Sequence, residues 1–138
     1  MRLEVTRKSD LAVRALGVLA EANGRMKGPA LAAAVGSTSG FVSQVLNPLV
    51  RHRWVRSEPG PSGGYSLVAD LNEVSVLAVV ESIEGPTDSG RCVLADGTCI
   101  EQGSCALHRS WSQARTLLLA ELDATSVAKA LKTTGSDQ

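Results

Sequence analysis

The sequence predicts a mainly α fold that carries one small β-hairpin. Three observations point there. Apolar residues recur at helical spacing along most of the chain, one Gly/Pro-rich turn separates two short alternating runs, and aromatic residues make up only 3% of the 138 residues. With 43% hydrophobic residues, a single core can be built largely from Leu, Val and Ala.

The apolar run from Leu11 to Ala20 reads as a largely buried helix, with Ser9 as its N-cap and Asn23-Gly24 as its stop. A second helix is expected from Pro29 to Val35, because proline suits a first turn and Gly36 follows the last residue. After the turn Ser37-Thr38-Ser39, a third helix is expected from Gly40 to His52. Its apolar positions are 42, 45, 46, 49 and 50, and Pro48 inside it predicts a kink or a late start. Val55-Arg56-Ser57 and Tyr65-Ser66-Leu67-Val68 read as strands around the tip Pro59-Gly60-Pro61-Ser62-Gly63-Gly64. That order of elements is a winged helix-turn-helix. A further helix is expected from Val74 to Ile83, ended by Gly85-Pro86, and then a loop without periodicity over 87–104. From Cys105 to Leu122 a long helix is expected, with Leu107, Trp111, Ala114, Leu118 and Leu122 on one stripe. Periodicity alone allows that stripe to be intramolecular core or a dimerisation face. A short helix after Thr125 closes the pattern. The expected division is a DNA-binding winged helix-turn-helix over 1–84, a loop over 85–104, and a dimerisation helix with a C-terminal helix over 105–138.

Net charge is zero, but its distribution is uneven. Residues 1–56 hold nine Lys/Arg against three acids, and residues 57–138 hold five against eleven. A basic half joined to an acidic half can present one face to phosphate. No apolar run is long enough to span a bilayer, and Met1-Arg2-Leu3-Glu4 does not begin a signal peptide, so a cytoplasmic location and no membrane partner are expected. No nucleophile elbow, phosphate loop or paired catalytic carboxylates appear, so neither an enzyme nor a small-molecule substrate is expected.

The three cysteines lie close together. Cys92 and Cys99 are separated by six residues, Cys99 and Cys105 by five, and His108 follows two residues later. An odd number in a reducing compartment fits a disulfide framework badly. Buried structural thiols prefer regular apolar elements, and these cysteines lie among Gly, Asp and Thr. Three Cys and one His could bind zinc, although the usual Cys-x-x-Cys knuckle is missing. An iron–sulfur cluster tolerates wider spacing, which favours it over zinc.

Four features carry a resemblance: Met1-Arg2-Leu3, the run Ser9-Asp10-Leu11-Ala12-Val13-Arg14-Ala15-Leu16, the wing Gly63-Gly64-Tyr65-Ser66-Leu67, and the cysteine loop. On these, nearly the whole chain resembles the bacterial winged-helix repressor family that includes the iron–sulfur cluster regulator IscR and the nitric-oxide sensor NsrR. The resemblance implies a homodimer with crossing long helices. It also implies a cluster on each subunit beside the dimer interface, ligated by Cys92, Cys99 and Cys105. For the fourth ligand it offers two patterns. Cys105-Ala106-Leu107-His108 resembles the one in which histidine completes a 2Fe–2S site, and residues 105 and 108 would share a helical face. Ser9-Asp10-Leu11-Ala12 resembles the other, in which an aspartate from the partner subunit, here Asp10, completes a 4Fe–4S site. Asp10 can equally be a first-turn residue favoured by the helix dipole, and His108 a solvent-facing helix residue. A weak oxygen or imidazole ligand would suit a sensor of nitric oxide, redox state or iron status.

The third helix should enter the major groove with Thr38, Ser39, Ser43 and Gln44, the last able to bond adenine in a bidentate manner. Arg2 in the matching N-terminal start and Gly63 in the matching wing complete the expected DNA contacts with Arg51. Arg53 and Arg56 read as phosphate contacts or salt-bridge partners. Where the family has an arginine beside the wing's first glycine, this chain has Pro59 after Glu58, which suggests a different operator preference. The expected function is iron–sulfur-dependent repression from a palindromic site on double-stranded DNA. Alternatives are a zinc-bound or metal-free regulator and, from another class, a redox or electron-transfer protein.

Overall fold

The computed structural model describes residues 3–88, 90, 92–94 and 105–134. Helix α1 spans Arg7–Ala22 and supplies the centre of the core through Leu11, Ala12, Ala15, Leu16 and Leu19, each at most 2% exposed. It starts before the expected Ser9 cap. The cap is Thr6, whose hydroxyl accepts from the Ser9 N–H at 3.3 Å. Ser9 is instead buried, and its own hydroxyl donates to the Glu84 carboxylate. Asn23 ends the helix in the left-handed conformation, as its position suggested.

Helix α2 (Gly28–Val35) has proline in its first turn and Gly36 as a left-handed C-cap. Helix α3 (Ser39–Arg51) is capped by Thr38, whose side chain accepts from the Phe41 N–H at 3.2 Å. It does not start late: helix continues through Pro48, with Val42, Val45, Leu46 and Leu49 buried on both sides of it. The carbonyl that proline leaves without an N–H belongs to exposed Gln44, where water can reach it.

Strands β1 (Val55–Glu58) and β2 (Gly64–Leu67) form an antiparallel hairpin in the register Val55↔Leu67 to Glu58↔Gly64. Met26 extends the sheet by one bridge, exchanging backbone hydrogen bonds with Tyr65 at 2.8 and 2.7 Å. Gly64 permits that approach. Its φ is +140°, and a Cβ there would overlap the Met26 carbonyl oxygen.

Helix α4 (Val76–Glu84) is capped by Ser75 and ends at Gly85. Helix α5 spans His108–Ala124 and helix α6 spans Val127–Thr134. Helix α6 packs back onto α1 rather than extending α5. Val127 is fully buried, its N–H bonds the Val74 carbonyl at 2.9 Å, and Gly17 on α1 gives room to the Leu131 side chain. Helix α5 differs from every other described helix, for none of its residues is buried. Trp111 and Leu122 are half-buried, while Leu118 is 45% and Leu117 71% exposed. Within one chain, the described residues do not cover this stripe. No described helix is long and apolar enough to cross a membrane.

Candidate nucleic-acid interface and thiol loop

The burial pattern of α3 divides it into two faces. Val42, Val45, Leu46 and Leu49 hold it to the core, leaving Thr38, Ser39, Ser43, Gln44 and Arg51 exposed on the opposite side. Asn47 belongs to the same exposed face, and the three- and four-residue spacing from Ser43 and Gln44 could have identified it. No side chain stands near Gly40, which leaves the first turn of α3 open to a close neighbour. The exposed polar face can offer hydroxyl and amide groups to base edges and phosphates.

The wing is fastened on one side by an ion pair that only the fold reveals. Arg25, in the loop before α2, donates to Glu58 at 2.7 Å, so the acidic residue beside the wing tip has a cationic partner. Gly63 is buried. Its N–H donates to the Gly60 carbonyl at 3.0 Å, and any Cβ would overlap the Glu58 carbonyl oxygen, so its part is to close the tip. Arg2 lies outside the described residues.

The segment between α4 and α5 carries the three cysteines. Its first residues are tied at both ends: the Thr87 N–H donates to Glu81 at 2.7 Å, and Asp88 accepts from Arg115 on α5 at 3.3 Å and from the Gly90 N–H at 3.1 Å. Cys92 is half-buried and its Sγ accepts from the Leu94 N–H at 3.4 Å. Cys105, also half-buried, precedes the helix instead of lying on it, because α5 begins at His108. The shared helical face expected for 105 and 108 is therefore not formed. A single turn joins them, with the His108 N–H donating to the Cys105 carbonyl at 3.2 Å, and the His108 side chain is exposed. Cys99 lies outside the described residues. Asp10 is exposed in the first turn of α1, where it accepts from Arg14 at 3.0 Å, and Arg14 also reaches the Val35 carbonyl. Among the described residues, no three His, Cys, Asp or Glu side chains are gathered as a metal site.

A sequence model of one family, Rrf2, described as iron-dependent transcriptional regulator, matches residues 5–133. The chain belongs to the Rrf2 family. It is similar to the HTH-type transcriptional regulator Rv1287 of Mycobacterium tuberculosis, with 32% identity over 128 residues, 91% of this chain and 80% of that protein. It is also similar to the transcriptional regulator IscR of Sodalis glossinidius, 31% identical over 113 residues, 79% of this chain and 67% of that one. Among solved structures, T. potens IscR superposes with a TM-score of 0.69 at 21% identity, covering 96% of this chain and 88% of that one. CymR, the global cysteine regulator of B. subtilis, superposes with a TM-score of 0.72 at 19% identity, covering 96% and 98%. This Rrf2 protein is thus a winged-helix, DNA-binding transcriptional regulator and not an enzyme.

Proposed function

We propose that this protein is a cytoplasmic, homodimeric repressor whose DNA binding depends on an iron–sulfur cluster held by Cys92, Cys99 and Cys105. The match to an iron-dependent regulator family across residues 5–133, which include all three cysteines, carries this reading. The donor chemistry suits the group: thiolates bind cluster iron, and an N–H donated to sulfur, as Leu94 gives Cys92, is a recognised tuner of such sites. Bound there with one weaker ligand, the cluster supplies an iron open to nitric oxide, oxygen or ligand exchange.

His108 is the local candidate for that ligand, one turn from Cys105 and solvent-accessible. Asp10 of the partner subunit is the other, and to serve it must leave its ion pair with Arg14. His108 would give a 2Fe–2S site within one subunit, Asp10 a 4Fe–4S site completed across the dimer. The uncovered stripe of α5 supports dimerisation through that helix. Residues 1–84 then contact DNA, 85–104 hold the cluster and 105–138 join the subunits, with α6 also closing the core around α1. A change at the residues that would hold the cluster would alter the spacing of two recognition helices on a palindromic operator by favouring one of two dimer geometries.

The test uses anaerobically purified protein with its own promoter DNA, comparing wild type, His108→Ala and Asp10→Ala. Loss of the cluster signal and of promoter affinity in one of the two variants is expected. Sequence-selective binding in every sample, whatever its iron content, favours a zinc-bound or metal-free regulator instead. Absence of selective binding in every cluster state overturns cluster-dependent repression at this promoter.

A further inference from the structure

Three arginines, Arg51, Arg53 and Arg56, follow one another where α3 ends and the wing begins. All are exposed, and among the described residues none has an ion pair; Arg7 and Arg109 are likewise unpaired, whereas Arg14, Arg25 and Arg115 each face a carboxylate. Arg53 is the unusual member. Helix α3 closes with the Trp54 N–H on the Leu49 carbonyl at 3.1 Å and the Arg53 N–H on the Val50 carbonyl at 2.9 Å. That closure needs a left-handed residue at 53, and Arg53 adopts it with φ of 61°. Glycine takes this conformation freely and an arginine does not, so the site works against its own side chain. The rings of His52 and Trp54 stack at 4.6 Å on either side of it in sequence, fixing the turn. Arg53 and Arg56 both line a shallow depression of about 340 Å³ floored by Val50, Val55 and Val68.

We infer that Arg53, with Arg56 beside it, is a clamp for the DNA phosphate backbone, and that the strained turn keeps its guanidinium at the corner between recognition helix and wing. This rests on the DNA-binding reading. It settles the choice between phosphate contact and salt-bridge partner in favour of phosphate. A strained residue with no internal partner for its charge gains nothing within the fold, and a polyanion crossing from α3 to the wing passes this corner.

The stabilising and binding effects of one substitution should therefore oppose each other. Full-length wild type, Arg53→Gly, Arg53→Lys and the double variant Arg53→Gly/Arg56→Ala are compared on a mixed-sequence duplex of about 30 base pairs across a salt series. Arg53→Gly is expected to raise Tm by roughly 2–6 °C. The same variant should weaken binding roughly five- to tenfold and lower the log–log salt slope by about 0.9. The double variant should lower the slope by roughly twice as much, and Arg53→Lys should keep the wild-type slope. A more stable Arg53→Gly with affinity and slope unchanged overturns the clamp. Failure of the wild type to bind any duplex overturns the DNA reading on which it rests.

Discussion

The Ser9 hydroxyl donates to the Glu84 carboxylate, joining the first turn of α1 to the last turn of α4 across 75 residues of sequence. The same carboxylate accepts the Thr6 N–H at 3.2 Å. One acidic side chain thus holds the start of α1 to the end of α4, the helix that precedes the three cysteines in sequence.

Removing either partner should have unequal effects. Ser9→Ala deletes the donor and leaves a carboxylate that water can reach, at a cost of about 1 kcal/mol. Glu84→Ala leaves the hydroxyl of buried Ser9 only the long 3.5 Å contact with the Thr6 hydroxyl, also frees the Thr6 N–H, and should cost more, roughly 1–3 kcal/mol. Urea unfolding of both single variants and the double variant measures the coupling, expected at about 1 kcal/mol.

Gly64→Ala should damage the wing more than any surface change. A Cβ would meet the Met26 carbonyl, and the φ of +140° strains any other residue. The expected loss is about 3 kcal/mol, with DNA affinity falling as the hairpin separates from Met26. Thermal unfolding and duplex binding check both parts. Gly60→Ala is a milder comparison, since its positive φ is strained but no atom stands near the new Cβ.

The face of α5 makes a prediction about assembly. Leu117→Glu and Leu118→Glu place charge on side chains already 71% and 45% exposed in one chain, so the fold itself should tolerate them. Sedimentation velocity should nevertheless show a shift from dimer to monomer. An unchanged dimer would move the interface elsewhere.

Among the described residues, Asp70 carries a pH effect. The Asn72 backbone N–H and then its side-chain amide, both donating at 2.9 Å, hold the carboxyl of exposed Asp70 below its ordinary value of 3.8. A lowered folded-state pKa stabilises above the ordinary value and is lost as pH falls through the folded one. The Tm difference between wild type and Asp70→Ala should therefore be largest near neutrality and shrink as acid protonates the carboxyl.

Much of the helical framework was legible because its ends are marked locally. Asn23, Gly36 and Gly85 each stop a helix, and the alternation around 59–64 gives the hairpin. What escaped the sequence was decided at a distance. Ser9 and Thr6 are both plausible caps, and only Glu84, far along the chain, takes Ser9 for another role. The periodicity from Leu107 to Leu122 runs backwards without a break, so it could not show that the helix starts at His108 and leaves Cys105 outside. The site was partly visible: spacing marked the polar face of α3, but Arg53 reads equally as a phosphate contact or a salt-bridge partner until its φ and its lack of an ion pair are known.

The central claim is a cluster on three thiolates, and iron and acid-labile sulfide per chain, measured on anaerobic full-length protein, test it most directly. The account predicts equal amounts of each, about two or about four per chain, in the wild type and a sharp fall in Cys92→Ser, Cys99→Ser and Cys105→Ser alike. A colourless wild type lacking both, with or without bound zinc, would contradict it.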